Sequence, residues 1–198
     1  MVTDEDLEAA ADAIRRGGLV VYPTETVYGL GADALDADAV ESVFAAKGRS
    51  REKPLSFAFP DADSAREYVD VAATERAFMD AFLPGPVTVV CRKVDAVPDV
   101  LTAGSDRVGV RVPDHDVALA LLDRVAPVTS TSANISGRPS VTDPRELDDA
   151  LLDRVDAVLD AGETPGGTGS TVVDVANREV LREGANVEPV RDWLADHA

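Results

Sequence analysis

Short apolar runs alternate with amphipathic stretches along almost the whole chain, and that alternation restricts the fold to the α/β class. Apolar runs at residues 19–22, 55–59, 87–91, 108–112, 127–130, 156–159 and 171–175 read as buried strands, with residues 179–182 as a hairpin neighbour of the last. Between them, helical spacing appears at residues 4–16, 38–46, 63–69, 74–82, 116–125, 144–152 and 190–196. Thr3 or Asp4 caps the first helix, and Gly17 and Gly18 end it. Pro23 opens a loop, PTETVYGLGAD. No linker-like stretch, internal repeat or low-complexity tail divides the chain, so residues 1–198 are expected to form a single domain: a twisted mixed sheet with flanking helices.

Charge narrows the function. The chain carries 37 acidic and 19 basic residues, a net charge of -18. Only Lys47, Lys53 and Lys93 are lysines, and aspartate outnumbers glutamate. A carboxylate-rich, lysine-poor surface suits a cytoplasm of very high salt, where ions screen the repulsion. Nowhere do 18 apolar residues run together, and the acidic start MVTDEDLEAA is unlike a secretory leader. A single cysteine, Cys91, allows no internal disulfide and fits a reducing compartment. The expected location is the cytoplasm, with no membrane contact.

Against that acidic background, KGRSREK places four cations, Lys47, Arg49, Arg51 and Lys53, within seven residues. Alternate spacing in an extended segment would put all four on one face, where they repel one another unless an anion is bound. The bland reading is a solvated basic turn, or cations at the C-terminus of the preceding helix. Arginine forks and lysine point charges suit phosphate. TSTSANISG, residues 129–137, crowds hydroxyls where a strand ends, suited to a ligand edge or to an ordinary Ser/Thr turn. GGTGST at residues 166–171 lacks the lysine of a Walker loop. Arg111 is a charge within a strand, either a carboxylate clamp or an exposed position. Cys91 reads as a buried small hydrophobe, and Trp193 as packing. His115 and His197 have no partner at metal-ligand spacing, so no protein-held metal is expected.

Taken in order, GGLVVYPTETVYGLGADA, FAAKGRSREKPLSF, LPGPVTVV, VGVRVPDH, TSTSANISGRPSVT, GSTVVDV and LREGA resemble the YrdC-type threonylcarbamoyl-AMP synthases, from about residue 17 to residue 185. The resemblance implies a YrdC-like α/β fold with a concave cationic cavity. It implies synthesis of threonylcarbamoyl-adenylate and pyrophosphate from L-threonine, bicarbonate and ATP, for modification of tRNA at position 37. Lys47 and Arg49 are the implied catalytic cations. Arg49, Lys53, Arg107, Ser132, Ser140 and Arg182 would bind ATP, and Asn134 would fix their loop. Thr26, Arg111, Ser130 and Ser170 would bind threonine. Magnesium would ride on the ATP phosphates, and the product would pass to a tRNA threonylcarbamoyl-transfer complex, with contact to tRNA or double-stranded RNA. Longer relatives have Asn at the position of Lys53 and a threonine-contacting His at that of Ala58. Those relatives also carry a linker and a second domain, so this chain resembles the short form. Two rivals remain: a non-catalytic YrdC-like RNA-binding protein, and a carbamoyl-adenylate enzyme of hydrogenase maturation.

Overall fold

A computed structural model describes residues 1–197. Its strands are β1 (Val20–Tyr22), β2 (Gly29–Gly31), β3 (Ser56–Ala58), β4 (Val69–Asp70), β5 (Val87–Lys93), β6 (Arg107–Arg111), β7 (Val128–Ser132), β8 (Ala157–Val158), β9 (Thr171–Asp174) and β10 (Glu179–Arg182). Its helices are α1 (Asp4–Arg15), α2 (Ala37–Lys47), α3 (Ala73–Phe82), α4 (Asp99–Thr102), α5 (Asp116–Val125), α6 (Asp149–Leu152) and α7 (Val187–Asp196). The strands make one mixed sheet in the order β10-β9-β5-β6-β3-β7-β2-β1-β8, with β4 paired to β5. β3–β6, β5–β9 and β1–β8 are parallel, and the remaining pairs are antiparallel.

The period-two pleat sorts side chains onto two faces. One face carries Leu30, Phe57, Val89, Cys91, Val108, Val110 and Val173, packed under Val43 and Phe44 of α2, Phe78 of α3, Leu101 of α4 and Val190 of α7. Trp193 meets Phe78 edge-on at 4.9 Å between ring centres. The opposite face is only half covered. Leu7, Ala10 and Ile14 of α1 and Leu121 and Leu122 of α5 pack there on Val20, Tyr22, Ala58 and Val128. The entry of α1 is fixed by a reciprocal cap: Thr3 Oγ1 accepts from the Asp6 amide at 3.2 Å, and the Asp6 carboxylate accepts from the Thr3 amide at 2.8 Å.

Several elements differ from the sequence reading. The loop PTETVYGLGAD contains β2, whose Gly29 and Gly31 lie against the ring of Tyr22: a Cβ on Gly31 would stand 2.5 Å from Val128 and 2.9 Å from Tyr22. Glycine there serves close packing, although it weakens the strand pattern. Residues 63–69 form a 3₁₀ turn, Ser64–Glu67, followed by β4. The helix expected over residues 144–152 is interrupted at Leu147, whose backbone is extended, leaving a 3₁₀ turn, Pro144–Glu146, and α6. The segment KGRSREK is not extended. Gly48 adopts a left-handed conformation (φ 57°) that caps α2, and the Lys53 amide closes a turn onto the Ser50 carbonyl. Its four cations therefore point in different directions.

Candidate functional site

Where α1 and α5 stop, the same sheet face lies open. Its pleat positions carry Ser56, Thr88, Gly109, Arg111 and Ser130 in place of aliphatic core residues, with Val172 beside them. They floor a cavity of about 570 Å³, walled by Arg49 and Lys53 on one side and by Gly169, Ser170 and Arg182 on the other. A recess of about 390 Å³ adjoins it, lined by Lys47, Gly48, Arg49, Lys53, Ser132 and Asn134.

Five cations line the main cavity (Arg49, Lys53, Arg107, Arg111 and Arg182) against two carboxylates, Glu52 and Asp174. Two of the five are already paired. Arg107 donates to Asp174 at 2.9 Å and to the Val90 carbonyl at 2.9 Å, with Glu75 at 3.8 Å. Arg111 donates through one nitrogen to Glu25 at 3.0 Å, Thr26 Oγ1 at 2.7 Å and Thr24 Oγ1 at 3.3 Å. Its Nε is buried without a partner among the described residues. Arg49 and Arg182 have only neutral partners. Arg49 donates to the carbonyls of Lys53 and Pro54 at 3.0 and 2.9 Å. Arg182 donates to the Ser170 carbonyl at 2.8 Å and the Ser170 hydroxyl at 3.1 Å. Burial pushes the pKa of both below the ordinary guanidinium value, and for Arg182 the charges of Arg111 and Arg49 add to the effect.

Lys47 is the extreme case. It is 1 % exposed. Its amine donates to the Asn134 carbonyl at 2.7 Å and, at short range, to the Ser132 carbonyl, with Asn134 Oδ1 at 3.5 Å. Its own carbonyl accepts from the Ser136 amide at 2.8 Å. Burial, with the Arg49 charge beside it, pulls the amine down to about 7. Lys47 thus ties the end of α2 to the loop after β7. Asn134 completes the tie by donating to the carbonyls of Ile135 and Arg138 at 2.9 and 2.8 Å and accepting the Ser132 hydroxyl.

The other sequence-selected residues differ in where the structure places them. Ser130, Ser132, Ser140 and Ser170 line the main cavity, and Ser170 also shares a 2.8 Å hydrogen bond with Thr88. Thr26 does not line it; 1 % exposed, it meets the site through the guanidinium of Arg111. Arg51 points away and pairs with Glu41 at 2.8 and 3.0 Å, so it leaves the cluster. Arg111 is buried, not on an exposed strand face. Ala58 sits beside Arg111 in the β3–β6 register, buried under the α1–α5 layer. Cys91 is buried in the opposite core, and its thiol is raised to about 12 by burial.

Sequence reasoning missed Thr24, Glu25, Ser56, Thr88 and Asp174. A signal for some of them was available in VTVV and VGVRV: where both faces of a sheet are covered, a strand reads as continuous aliphatics, so Thr88, Gly109 and Arg111 at alternate positions mark a face with no helix above it. Among the described residues, no group of three His, Cys, Asp or Glu is placed to hold a metal ion, and no helix is long and apolar enough to cross a membrane.

Fold and cavity together define an α/β protein with a concentrated cationic cavity on the open half of a mixed sheet. The Sua5/YciO/YrdC family profile, described as telomere recombination, matches residues 12–184. A threonylcarbamoyl-AMP synthase of Pyrococcus abyssi is 43% identical over 175 residues, covering 85% of this chain and 50% of the relative. A putative threonylcarbamoyl-AMP synthase of Methanocaldococcus jannaschii is 34% identical over 185 residues, covering 93% and 87%. Among solved structures, P. abyssi Sua5 complexed with L-threonine superposes with a TM-score of 0.89 at 39% identity, covering 98% of this chain and 58% of that one. E. coli YciO gives 0.86 at 28% identity, covering 95% and 94%. The chain belongs to the Sua5/YciO/YrdC family. It spans about half the length of the P. abyssi relative.

Proposed function

We propose that the chain is an L-threonylcarbamoyladenylate synthase, a nucleotidyltransferase acting on MgATP, bicarbonate and L-threonine in the cytoplasm. The observation that carries this reading is the division of the cavity's cations. In a chain of net charge -18, Arg49 and Arg182 line the cavity beside carbonyls and a hydroxyl with no carboxylate partner among the described residues, which leaves their charge for a bound polyanion, and Lys47 lies buried behind Arg49. Arg111, on the same sheet face, is held by Glu25 and two threonines as a rigid fork suited to an amino-acid carboxylate.

The amine of threonine adds to bicarbonate with loss of water, giving a carbamate. A carbamate oxygen bonds to the α-phosphorus, the bond to the bridging β-oxygen breaks, and pyrophosphate leaves with its electron pair. No protein nucleophile is required. Arg49 and Lys53 hold the phosphates, while Arg107, Arg182, Ser132 and Ser140 hold the nucleotide. Arg111, Ser130 and Ser170 hold threonine, with Thr26 orienting Arg111. Lys47 fixes the loop that carries Ser132 and adds positive potential. Their contribution is proximity and fixed charge. Magnesium enters with ATP as part of the substrate. The adenylate is consumed by machinery that modifies tRNA at position 37.

The test is pyrophosphate release from ATP, bicarbonate and magnesium, with and without L-threonine, at low and multimolar KCl. Release is expected only when threonine and bicarbonate are both present. ATP hydrolysis indifferent to threonine rejects the reading. RNA binding without any ATP turnover favours a non-catalytic RNA-binding protein instead.

A further inference from the structure

At the centre of the cavity floor, β6 contributes a glycine. Gly109 is flanked in register by Ser56 of β3 and Val90 of β5, and Ser56 in turn lies opposite Ser130 of β7. A Cβ at Gly109 would stand 2.4 Å from Ser56 Oγ and 2.8 Å from Thr88 Cγ2. Both side chains therefore lie over the glycine, where any larger residue would collide with them. Thr88 turns its hydroxyl to Ser170 at 2.8 Å, so it presents its methyl group. Ser56 is half-buried and lines the cavity, and its hydroxyl has no hydrogen-bond partner among the described residues. The floor thus offers one free hydroxyl and one methyl side by side, with Val90 extending the apolar side and the Arg111 position one pleat further along β6.

We propose that Ser56 is a specificity-determining residue: its hydroxyl pairs with the side-chain hydroxyl of the bound amino acid, while Thr88 Cγ2 and Val90 pack on that amino acid's methyl group. This inference rests on the function proposed above, and it names which groups select threonine. A side chain bearing hydroxyl and methyl on one carbon satisfies both halves of the floor. Serine leaves the apolar half empty. Valine, a near-isostere without the hydroxyl, leaves Ser56 unpaired.

The experiment compares L-threonine, L-serine and L-valine in calorimetric titrations and in threonine-dependent pyrophosphate release, using wild-type protein and Ser56→Ala. The variant should bind L-threonine about 10-fold more weakly, as for the loss of one buried hydrogen bond. It should bind L-valine no more weakly than wild type, with KM for ATP unchanged, so the threonine-over-valine preference shrinks by the same factor. Ser56→Thr, which keeps a hydroxyl, should recover part of that preference. An unchanged preference in an active Ser56→Ala protein overturns the role of Ser56 and leaves the proposed function standing. Wild-type protein that neither binds nor uses L-threonine overturns both.

Discussion

The buried amine of Lys47 makes a prediction about stability that can be worked from the structure. In the unfolded chain a lysine amine titrates at its ordinary value of 10.5; in the folded protein this one is drawn down to about 7. Between those values the unfolded state binds more protons than the folded state, so stability rises with pH through that window and is lost as pH falls toward 7. The slope is about 1.4 kcal/mol per pH unit. Cys91 acts in the opposite sense. Its thiol is raised from 9.0 to about 12, so its contribution is complete below 9 and is lost above it. From pH 7 to pH 9 the Lys47 effect therefore stands alone of the two, and amounts to about 2 kcal/mol. From 9 to 10.5 the two slopes cancel. Urea unfolding in concentrated KCl, at half-unit steps from pH 7 to 10.5, should give a rise followed by a plateau for wild type. Lys47→Met should lack the rise. Parallel profiles for the two proteins between pH 7 and 9 would refute the placement of an uncompensated amine in that pocket.

Two further outcomes follow from packing and pairing. Arg111→Lys keeps the charge but loses the planar guanidinium that Glu25, Thr26 and Thr24 hold at one nitrogen, so steady-state kinetics should show KM for L-threonine raised about 10- to 100-fold, with KM for ATP little changed. Phe57 is fully buried and lies 4.8 Å from the Phe59 ring centre, so Phe57→Ala should cost about 3–5 kcal/mol in denaturant unfolding.

Class and most elements were legible in the sequence because amphipathic period and apolar runs are local signals. Residues 116–125 were read at their observed limits because Val117, Leu121, Leu122 and Val125 recur in helical register. β2 was hidden because its glycines answer to the Tyr22 ring, a contact that only the folded sheet creates. The cationic cluster was legible as composition but not as geometry. A left-handed Gly48 and the turn after it send Lys47 inward, Arg49 and Lys53 to the cavity and Arg51 out to Glu41. Arg182 and Arg49 converge on the cavity from opposite ends of the sequence, so no local pattern could join them, and only the resemblance brought Arg182 into the site.

The half-clad sheet has a consequence of its own. Among the described residues, no helix lies over β5, β6 and the start of β3 beyond α1 and α5; that face is the cavity floor. A bound nucleotide and amino acid would complete the architecture as a helix does elsewhere, and their binding energy would count toward the stability of the fold. Binding sites are usually described as furnishings of a finished building. Here the ligand would be the missing part of the roof.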